Sequence, residues 1–544
     1  MPIRIALIAT DSPGETSWNT GLHWEDGAAP VAGKTYVVPN GLWLRTPLSS
    51  ASSTFAGDAL VLEDGAKVNL KQGGNQTASA AWIAYGCQIA IGETCTMGVG
   101  GTIDVYGTAD KPTSFTGSGS NGNRFLNVQA SLSGASDAVV KVARTVATDG
   151  NYEAENCGGV SYGCRFSGDN SNYAGRFAAS SEGGTMGLPW VIAFSSQAAL
   201  GAPLADAPKL TVGDGFVVQG GALAFTNGYA VALEGNATFK GGDDTERADC
   251  SDGRYASVKY EKLYFGRGGS VTGSGSSVLT LEASPFVLAD VAFSGLEKIV
   301  VTTGALRLHP DYNQTELPLD VQAPGQLVDG SLNVGPVTLK SGASIQPGFG
   351  TAVPQCLGTF GLASLTMEAG SALKMSVAKV NDVYTNDFVR VTGSLVKPVT
   401  GRISVQFDVF PMSMPAGTKV ALLSAANLGT DVTADDFSHT HVDPVSDALL
   451  AGVFSIETRD GVPTLVFTKT NAEPVYLMGT DTRENNSWAA AGNCSSPPLP
   501  RGAALPSSYG RRMCGLACAR FRAEPRFREE ENRESTFVVH LGQF

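Results

Sequence analysis

Short apolar stretches recur along most of the chain, and Gly, Ser or Asn separate them. Leu223-Ala224-Phe225 and Val231-Ala232-Leu233 alternate large and small side chains on either side of Asn227-Gly228, a pair that supplies the positive φ angles of a tight turn. Helical periodicity is nearly absent, with one turn predicted within residues 431–437. The pattern predicts an all-β chain, with further short strands at residues 278–281, 299–301, 337–339 and 365–367.

We expect these strands to coil into stacked rungs of a parallel β-helix, or solenoid. A short strand cannot bury both of its faces alone, whereas a stacked rung covers the hydrogen-bonding edge of its neighbour. Val, Ile, Thr and Phe suit such a pleated wall, and Gly or Asn suit its corners. The alternative is a set of tandem β-sandwich modules, whose strands would follow at steadier spacing with clearer hairpins.

A repeat links the two ends of the chain. Leu7-Ile8-Ala9-Thr10-Asp11 is followed by Ser17-Trp18 and then Trp24, while Leu477-Met478-Gly479-Thr480-Asp481 is followed by Ser487-Trp488 and then Cys494. The spacings are identical, and Pro30 and Pro500 keep the same register. A fixed period of this kind is the signature of repeat architectures. We therefore expect one unit to end near residue 478 and a second copy to begin at residue 479.

The repeat defines the predicted domain organisation. The predicted segments are 1–10 as the end of a preceding unit, 11–60 as an N-terminal cap containing Trp, 61–400 as the β-helix body, 401–478 as the C-terminal β segment of the unit, 479–493 as the start of a second copy, and 494–544 as an aberrant tail rich in Arg and Cys, expected to be disordered.

The composition of the chain changes abruptly in the second copy. From Gly479 onward there are nine Arg, no Lys and seven acidic residues, which give a net charge of +2. Since the whole chain carries −13, the preceding 478 residues carry −15. Cys494 stands where the first copy has Trp24, a change that one base could make. We interpret the tail as the product of a frameshift or assembly error after Asn493; a basic interaction tail is the alternative.

Composition and charge exclude several classes of protein. Apolar residues make up 42% of the chain, enough for an ordered core, and charged residues only 16%, against about 25% in ordinary globular proteins. The net charge of −13 and the lack of a basic stripe before residue 479 argue against nucleic-acid binding. No apolar run approaches the roughly 18 residues that a membrane helix needs, so we expect no integral membrane segment.

Two stretches carry short motifs in a defined order. The later stretch lies within residues 342–395, and an earlier one contains Asn172-Tyr173-Ala174-Gly175-Arg176-Phe177 and Ala199-Leu200-Gly201-Ala202-Pro203. The later one contains, in order, Ile345-Gln346-Pro347-Gly348, Leu357-Gly358-Thr359, Leu365-Thr366-Met367, Gly370-Ser371-Ala372-Leu373, Asp387-Phe388-Val389 and Val391-Thr392-Gly393. These motifs resemble the passenger regions of autotransporter-like proteins with autotransporter-associated β-strand repeats. The resemblance implies a right-handed parallel β-helix that is displayed at, or released from, a bacterial cell surface.

The sharpest metal-site candidate is His439-Thr440-His441-Val442-Asp443. On a strand, His439, His441 and Asp443 would point to one face and form a plausible set of zinc ligands. The motif is similar to the histidine motif of metallo-β-lactamase-like hydrolases, but Pro444 stands where that motif has a further His. We therefore interpret the segment as a solvated loop and predict no metal site.

A second candidate is an acidic cluster between residues 243 and 252. Clustered carboxylates can hold calcium, although the spacing fits neither an EF-hand nor a calcium-binding β-roll. Paired carboxylates also hydrolyse glycosidic bonds, and Gly242-Asp243-Asp244 resembles the aspartate motif of polygalacturonase-like enzymes, without their histidine motif. We favour a solvated loop here too. The cluster comprises Asp243, Asp244, Glu246, Asp249 and Asp252.

The roles of three tryptophans and the pairing of four cysteines leave alternatives open; the tryptophans are Trp18, Trp24 and Trp43. The three Trp side chains could stack on sugars, although we favour a local core because Trp488 repeats Trp18. Cys87 lies close in sequence to Cys95, and Cys157 to Cys164, so local disulfides and unpaired thiols both stay open.

The sequence thus predicts a non-catalytic bacterial surface or secreted protein of the passenger type, serving adhesion, extension or surface coating as a fragment of a larger tandem-repeat protein. We predict no catalytic residue, cofactor or metal, and extracellular glycans or neighbouring cell surfaces as partners. The alternative is a β-helical enzyme or binding module that acts on polysaccharide.

Overall fold

The structure of the protein is a computed structural model of the 544-residue chain. It describes a defined set of residues, namely 3–48, 52–71, 75–78, 81–91, 95–98, 100–117, 125–145, 162–182, 190–220, 223–241, 263–282, 286–348, 357–411, 413–471, 476–477 and 494–495.

Strands dominate the described residues, which confirms the all-β prediction. The first strands are β1 (Ile3–Ala6), β2 (Lys34–Val38), β3 (Trp43–Arg45), β4 (Ser53–Phe55), β5 (Ala59–Leu62), β6 (Lys67–Leu70), β7 (Asn75–Ala78), β8 (Ala81–Ala84), β9 (Gln88–Ile91), β10 (Cys95–Met97), β11 (Thr102–Val105), β12 (Thr113–Gly117), β13 (Phe125–Val128), β14 (Ser131–Ser133), β15 (Val139–Thr145), β16 (Tyr162–Phe166), β17 (Arg176–Glu182), β18 (Trp190–Phe194), β19 (Leu210–Val212), β20 (Phe216–Gly220), β21 (Ala224–Phe225), β22 (Ala230–Leu233) and β23 (Ala237–Lys240). The later strands are β24 (Leu263–Phe265), β25 (Ser270–Glu282), β26 (Phe286–Leu288), β27 (Ala292–Val301), β28 (Ala305–Leu308), β29 (Asn313–Gln314), β30 (Leu319–Val321), β31 (Gln326–Asp329), β32 (Asn333–Leu339), β33 (Ser344–Gln346), β34 (Thr359–Met367), β35 (Ala372–Val380), β36 (Val383–Asn386), β37 (Phe388–Val391), β38 (Leu395–Val396), β39 (Ile403–Val409), β40 (Lys419–Ser424), β41 (Phe437–His441), β42 (Gly452–Arg459), β43 (Val462–Lys469), β44 (Tyr476–Leu477) and β45 (Cys494–Ser495).

Helical structure within the described residues is short. It consists of α1 (Gln197–Leu200), α2 (Pro444–Leu449) and a 3₁₀ turn at Ala434–Asp436, and the last of these lies inside the single turn that the sequence predicts. Ser196 caps α1 by accepting a hydrogen bond from the Ala199 amide, and Asp443 caps α2 in the same way. Both helices are short, with four and six residues, and lie between strands, so they leave the all-β character unchanged.

Most of the described strands pair in four parallel ladders, in which each strand joins one that lies further along the chain; β29, β37, β40, β42 and β43 pair outside these four, and β44 pairs antiparallel with β45. Ladder 1 is β1-β2-β5-β8-β11-β14. Ladder 2 is β3-β6-β9-β12-β15-β17-β19-β22-β25. Ladder 3 is β4-β7-β10-β13-β16-β18-β20-β23-β25-β27-β30-β32-β34-β38. Ladder 4 is β21-β24-β26-β28-β31-β33-β35-β39-β41, with β36 turning back antiparallel on β35.

Apolar side chains of successive strands stand in register and form buried columns. In ladder 2 the column is Leu44, Val68, Ile89, Phe115, Val142, Ala179, Val212 and Leu233, all buried. The flanking residues alternate with the members of the column and are mostly half-exposed, as Lys67 and Asn69 are around Val68, although Thr116 and Ala143 are buried. Because strand side chains alternate between faces, one row of each strand lines the core and the next row meets solvent.

Parallel pairing is what separates this architecture from the sandwich alternative. The sheets of a β-sandwich are antiparallel and built from hairpins. Asn227 and Gly228 do adopt the positive φ angles of 49° and 93° that the sequence predicts. However, the strands on either side of them, β21 and β22, join different ladders instead of pairing with each other. The turn therefore connects strands of two different parallel ladders, and the antiparallel sheets of tandem sandwich modules do not account for these ladders.

The chain divides into two compact units, which are described separately. The first comprises Met1–Phe410, Val420–Val442 and Phe454–Val466, and the second comprises Pro411–Lys419, Asp443–Val453 and Phe467–Phe544. In the second unit, the Gly417 amide donates to the Lys469 carbonyl oxygen (2.8 Å) and the Lys469 amide donates to the Thr418 carbonyl oxygen (3.1 Å). The Thr470 amide donates to the Ala451 carbonyl oxygen (2.9 Å).

Candidate functional site: the N-terminal cap and an outward groove

A buried carboxylate organises the start of the first unit. Asp11 is fully buried, and its side chain accepts hydrogen bonds from the Ser17 amide (2.9 Å), the Ser17 hydroxyl (2.6 Å) and the Arg45 amide (2.9 Å). Arg45 returns a bond from its Nε to the Asp11 carbonyl oxygen (2.7 Å). A buried charge that is fully hydrogen-bonded in this way fixes the geometry of the loop around it. The first turn of chain is thereby tied to β3.

Two of the three candidate sugar-stacking Trp residues form the core of this cap. Trp18 and Trp24 are 0% and 1% exposed, which confirms the prediction of a local core for both. Trp18 packs on Phe55 and Trp82, with ring centroids 5.0 and 5.8 Å apart, and the Trp24 Nε1 donates to the Ser17 carbonyl oxygen at 2.6 Å. Trp43 differs, because it is only half-buried and lies on the outward side of β3.

The second copy of the repeat makes the same backbone pairing as the first. In the first copy, Leu7 forms an antiparallel bridge with Trp24. In the second, β44 pairs antiparallel with β45, with Leu477 opposite Cys494. These positions correspond one to one in the sequence repeat. Residues 478–493, which include Ser487 and Trp488, and residues 496–544 of the predicted tail lie outside the described residues.

An open groove runs along the outward face of ladder 2. It has a volume of about 720 Å³. Its floor follows one row of residues in register, which is Lys67, Gln88, Ser114, Lys141, Ala178 and Thr211. Small side chains in the middle of the row leave room above the sheet, and longer ones stand between them. Five rung intervals at about 4.8 Å give a groove of roughly 24 Å.

Charged side chains surround this groove. Lys67, Lys141 and Arg176 line it from the strands, while Lys111 lines it from the loop before β12 and pairs with Asp64 on the rim. Asp110 and Glu234 complete the charged lining. The strand positions are thus cationic, and the carboxylates belong to the connecting loops.

Aromatic residues adjoin the lining residues of the groove at two places, by register or by sequence. The Lys67 Nζ lies 4.5 Å from the centroid of the Trp43 ring, one rung before the groove floor begins. Tyr85 and Tyr106 are exposed at the corners that lead into β9 and β12, and their rings stack with centroids 5.0 Å apart. The rings offer flat apolar surfaces beside polar side chains.

Neither a protein-family model nor a curated protein matches this chain.

The His motif lies on a strand and not in the loop that the sequence analysis favours. His439 and His441 belong to β41, the last strand of ladder 4, where they stand in register with Val405 and Phe407. Asp443 instead caps α2, accepting hydrogen bonds from the Ser446 amide (2.9 Å) and hydroxyl (2.8 Å). Within the part of the chain that is described, no group of three His, Cys, Asp or Glu side chains is placed to hold a metal ion.

The acidic cluster Asp243, Asp244, Glu246, Asp249 and Asp252 lies outside the described residues, so both its calcium and its glycosidase interpretations stay predictions.

Of the cysteines, Cys87 is a buried free thiol, and burial raises its pKa to about 12. Cys164 is buried on β16, and Cys157 lies outside the described residues.

No helix among the described residues has the length and apolarity to cross a membrane.

Two further buried charges stabilise loops between rungs. The Lys209 Nζ donates to the carbonyl oxygens of Tyr173 (3.0 Å) and Gly175 (2.6 Å), and burial lowers its pKa to about 7. Asp387 accepts from the amides of Gly358 (2.9 Å) and Ser376 (2.7 Å), and burial raises its pKa to about 6. Both groups bind backbone atoms of the fold, which indicates a structural role.

The groove could not be predicted from the sequence. Its floor residues are ordinary Lys, Gln, Ser and Thr, and successive members are separated by 21 residues at one step and 37 at another. Without the register, nothing marks them as neighbours. The one usable signal was Trp43, whose outward position adjoins the floor.

Proposed function

We propose that the first unit is a right-handed parallel β-helix and that the chain is a non-catalytic scaffold of a bacterial surface or secreted protein. The observation that carries the proposal is the set of apolar columns in register along the ladders. A wall of this kind grows by adding rungs and has no need of a closed reactive pocket. The right hand follows from the strong preference of parallel crossover connections for that hand.

The repeated cap supports an arrangement of units in tandem. The same spacing of Leu, Asp, Ser and Trp begins each copy, and the first copy uses these residues to close the end of its core. A cap that recurs after 470 residues is what a chain of successive units would need at each junction. Adhesion, extension and surface coating are functions that such repetition serves.

A surface location is supported by composition and by the passenger-like motifs. Charged residues are sparse, and the motifs around Asp387 and Gly358 are joined in the structure by hydrogen bonds between neighbouring rungs. The second candidate function, a module that binds polysaccharide, is favoured by one observation, namely the groove along ladder 2.

Protease treatment of intact cells tests the proposed location. In the bacterium that produces the chain, an antibody against the first unit should detect the protein on intact cells or in the medium. Protease added outside should remove the cell-bound signal while a cytoplasmic marker persists. A pool that resists protease until the cells are lysed would contradict the proposal.

A further inference from the structure

We propose that the groove on ladder 2 binds an acidic polysaccharide, a polymer of uronic acid residues, along the direction in which the rungs stack. The inference deepens the proposed function, since it rests on an extracellular location and names the class of ligand that the scaffold would meet there. It is carried by the shape of the groove, the order of its charges and the rings at its border.

The shape of the groove suits an extended chain. The floor is flat because parallel strands cross it side by side, and Ser114, Ala178 and Thr211 keep it low between longer side chains. Each rung advances by about 4.8 Å, so every rung offers equivalent positions at a constant step. A linear polymer with a repeat of similar length, such as a chain of pyranose rings, can make the same contact on successive rungs.

The charges of the floor point to an anionic ligand. Lys67 and Lys141 stand three rungs apart in the same row, and Arg176 lies at the following rung beside Ala178. Gln88 and Ser114 occupy the row between the two lysines. This alternation presents cations to carboxylates and neutral hydrogen-bonding groups to hydroxyls. Arg and Lys bind carboxylate oxygens through charge-assisted hydrogen bonds.

The rings at the border supply the apolar contact that sugars need. Trp43 lies one rung before Lys67 in the same row, and Tyr85 directly precedes Gly86 of the groove lining and stacks on the exposed Tyr106 ring. An aromatic ring with a polar tip contributes contact area at an interface while it keeps its hydrogen bond to water. Trp43 at one end and the exposed tyrosine pair next to the lining would hold the polymer against the floor.

The neutral positions of the floor favour a uronic acid polymer over a nucleic acid. The first 478 residues carry a net −15, a field that weakens the binding of any polyanion, but the groove lining itself has four Lys or Arg side chains against three Asp or Glu side chains. A polymer with one carboxylate per sugar and several hydroxyls matches the sparse lysines and the neutral positions between them. Nucleic-acid binding is therefore a contrary outcome of the test.

Calorimetric titration of the full chain with defined polymers tests the assignment. The probes are a polygalacturonate oligomer, a neutral α-glucan oligomer of equal length, and a single-stranded oligodeoxynucleotide of equal length. We expect binding of polygalacturonate alone, weakened by added salt because Lys67 and Lys141 are only half-buried. The double variant Lys67→Gln/Lys141→Gln should bind at least tenfold more weakly, and Trp43→Ala severalfold more weakly.

The matched control is Lys340→Gln/Lys379→Gln, which removes the same charge at outward lysines away from the groove. The control should bind polygalacturonate as the wild type does. The assignment is overturned if no probe binds, if the control loses as much affinity as the groove variant, or if the oligodeoxynucleotide or the glucan binds as tightly as polygalacturonate. Such a failure leaves the scaffold proposal standing, because that proposal is tested by location and not by ligand.

Discussion

Replacement of Trp18 by Ala should lower the free energy of unfolding by about 3–5 kcal/mol, because it empties the centre of the N-terminal cap. Trp18 is fully buried between Phe55 and Trp82, and its own backbone follows Ser17, which is hydrogen-bonded to Asp11. A cavity left by an indole ring in this position cannot be filled by the backbone, since the Asp11 network holds the loop in place. Denaturant unfolding followed by circular dichroism measures the loss.

Trp43→Ala is the matched control for this prediction. The same side chain is removed, but Trp43 is half-exposed on the outward face of β3. We expect a loss of no more than about 1 kcal/mol there, as for most surface substitutions. The account of the cap is wrong if Trp18→Ala costs as little as Trp43→Ala.

The free energy of unfolding of the wild type minus that of the Asp387→Asn variant should fall by about 2–3 kcal/mol as the pH rises from 4 to 7. Burial raises the pKa of Asp387 to about 6, whereas an unfolded Asp titrates at about 3.9. The folded state therefore binds the proton more tightly. The stabilisation is complete below the unfolded pKa and is lost as the pH rises through the folded pKa. Asn cannot ionise, so its variant lacks this contribution.

Asp382→Asn is the control for the pH series. Asp382 is exposed in the turn between β35 and β36, and its φ of 64° is one that Asn adopts readily. Between pH 4 and pH 7, the stability difference between this variant and the wild type should stay nearly constant. If the stability of the wild type relative to Asp387→Asn rises with pH instead, the hydrogen bonds from the amides of Gly358 and Ser376 outweigh burial. The pKa of Asp387 would then be lowered and not raised.

The local pattern of the sequence predicted the strands but not their partners. Alternation at Val231-Ala232-Leu233 and the corner at Asn227-Gly228 are properties of a few adjacent residues, and the structure confirms both. Pairing partners depend on rung length, which varies because loops of different size leave the corners. The step from Lys141 to Ala178 spans 37 residues, while that from Lys67 to Gln88 spans 21. No fixed period therefore exposes the register within the unit.

The same contrast between local pattern and strand pairing holds for the candidate site. Trp18 and Trp24 could be assigned to a core because their spacing recurs near the end of the chain. His439 and His441 were assigned to a loop because a single sequence does not show that β41 continues a parallel ladder beside β39. The groove required the outward residues of six strands to be aligned, and only the pairing of those strands aligns them.

Distances between spin labels along one outward row of ladder 3 test the stacking of rungs most directly. Thr238, Thr338 and Val396 belong to one row, with Thr338 four steps and Val396 six steps beyond Thr238. The labels are introduced as genetically encoded residues. At about 4.8 Å per rung, the labels at 238 and 338 should lie about 19 Å apart, and those at 238 and 396 about 29 Å apart. A second distance equal to or shorter than the first, as in sheets that fold back through hairpins, would contradict the account.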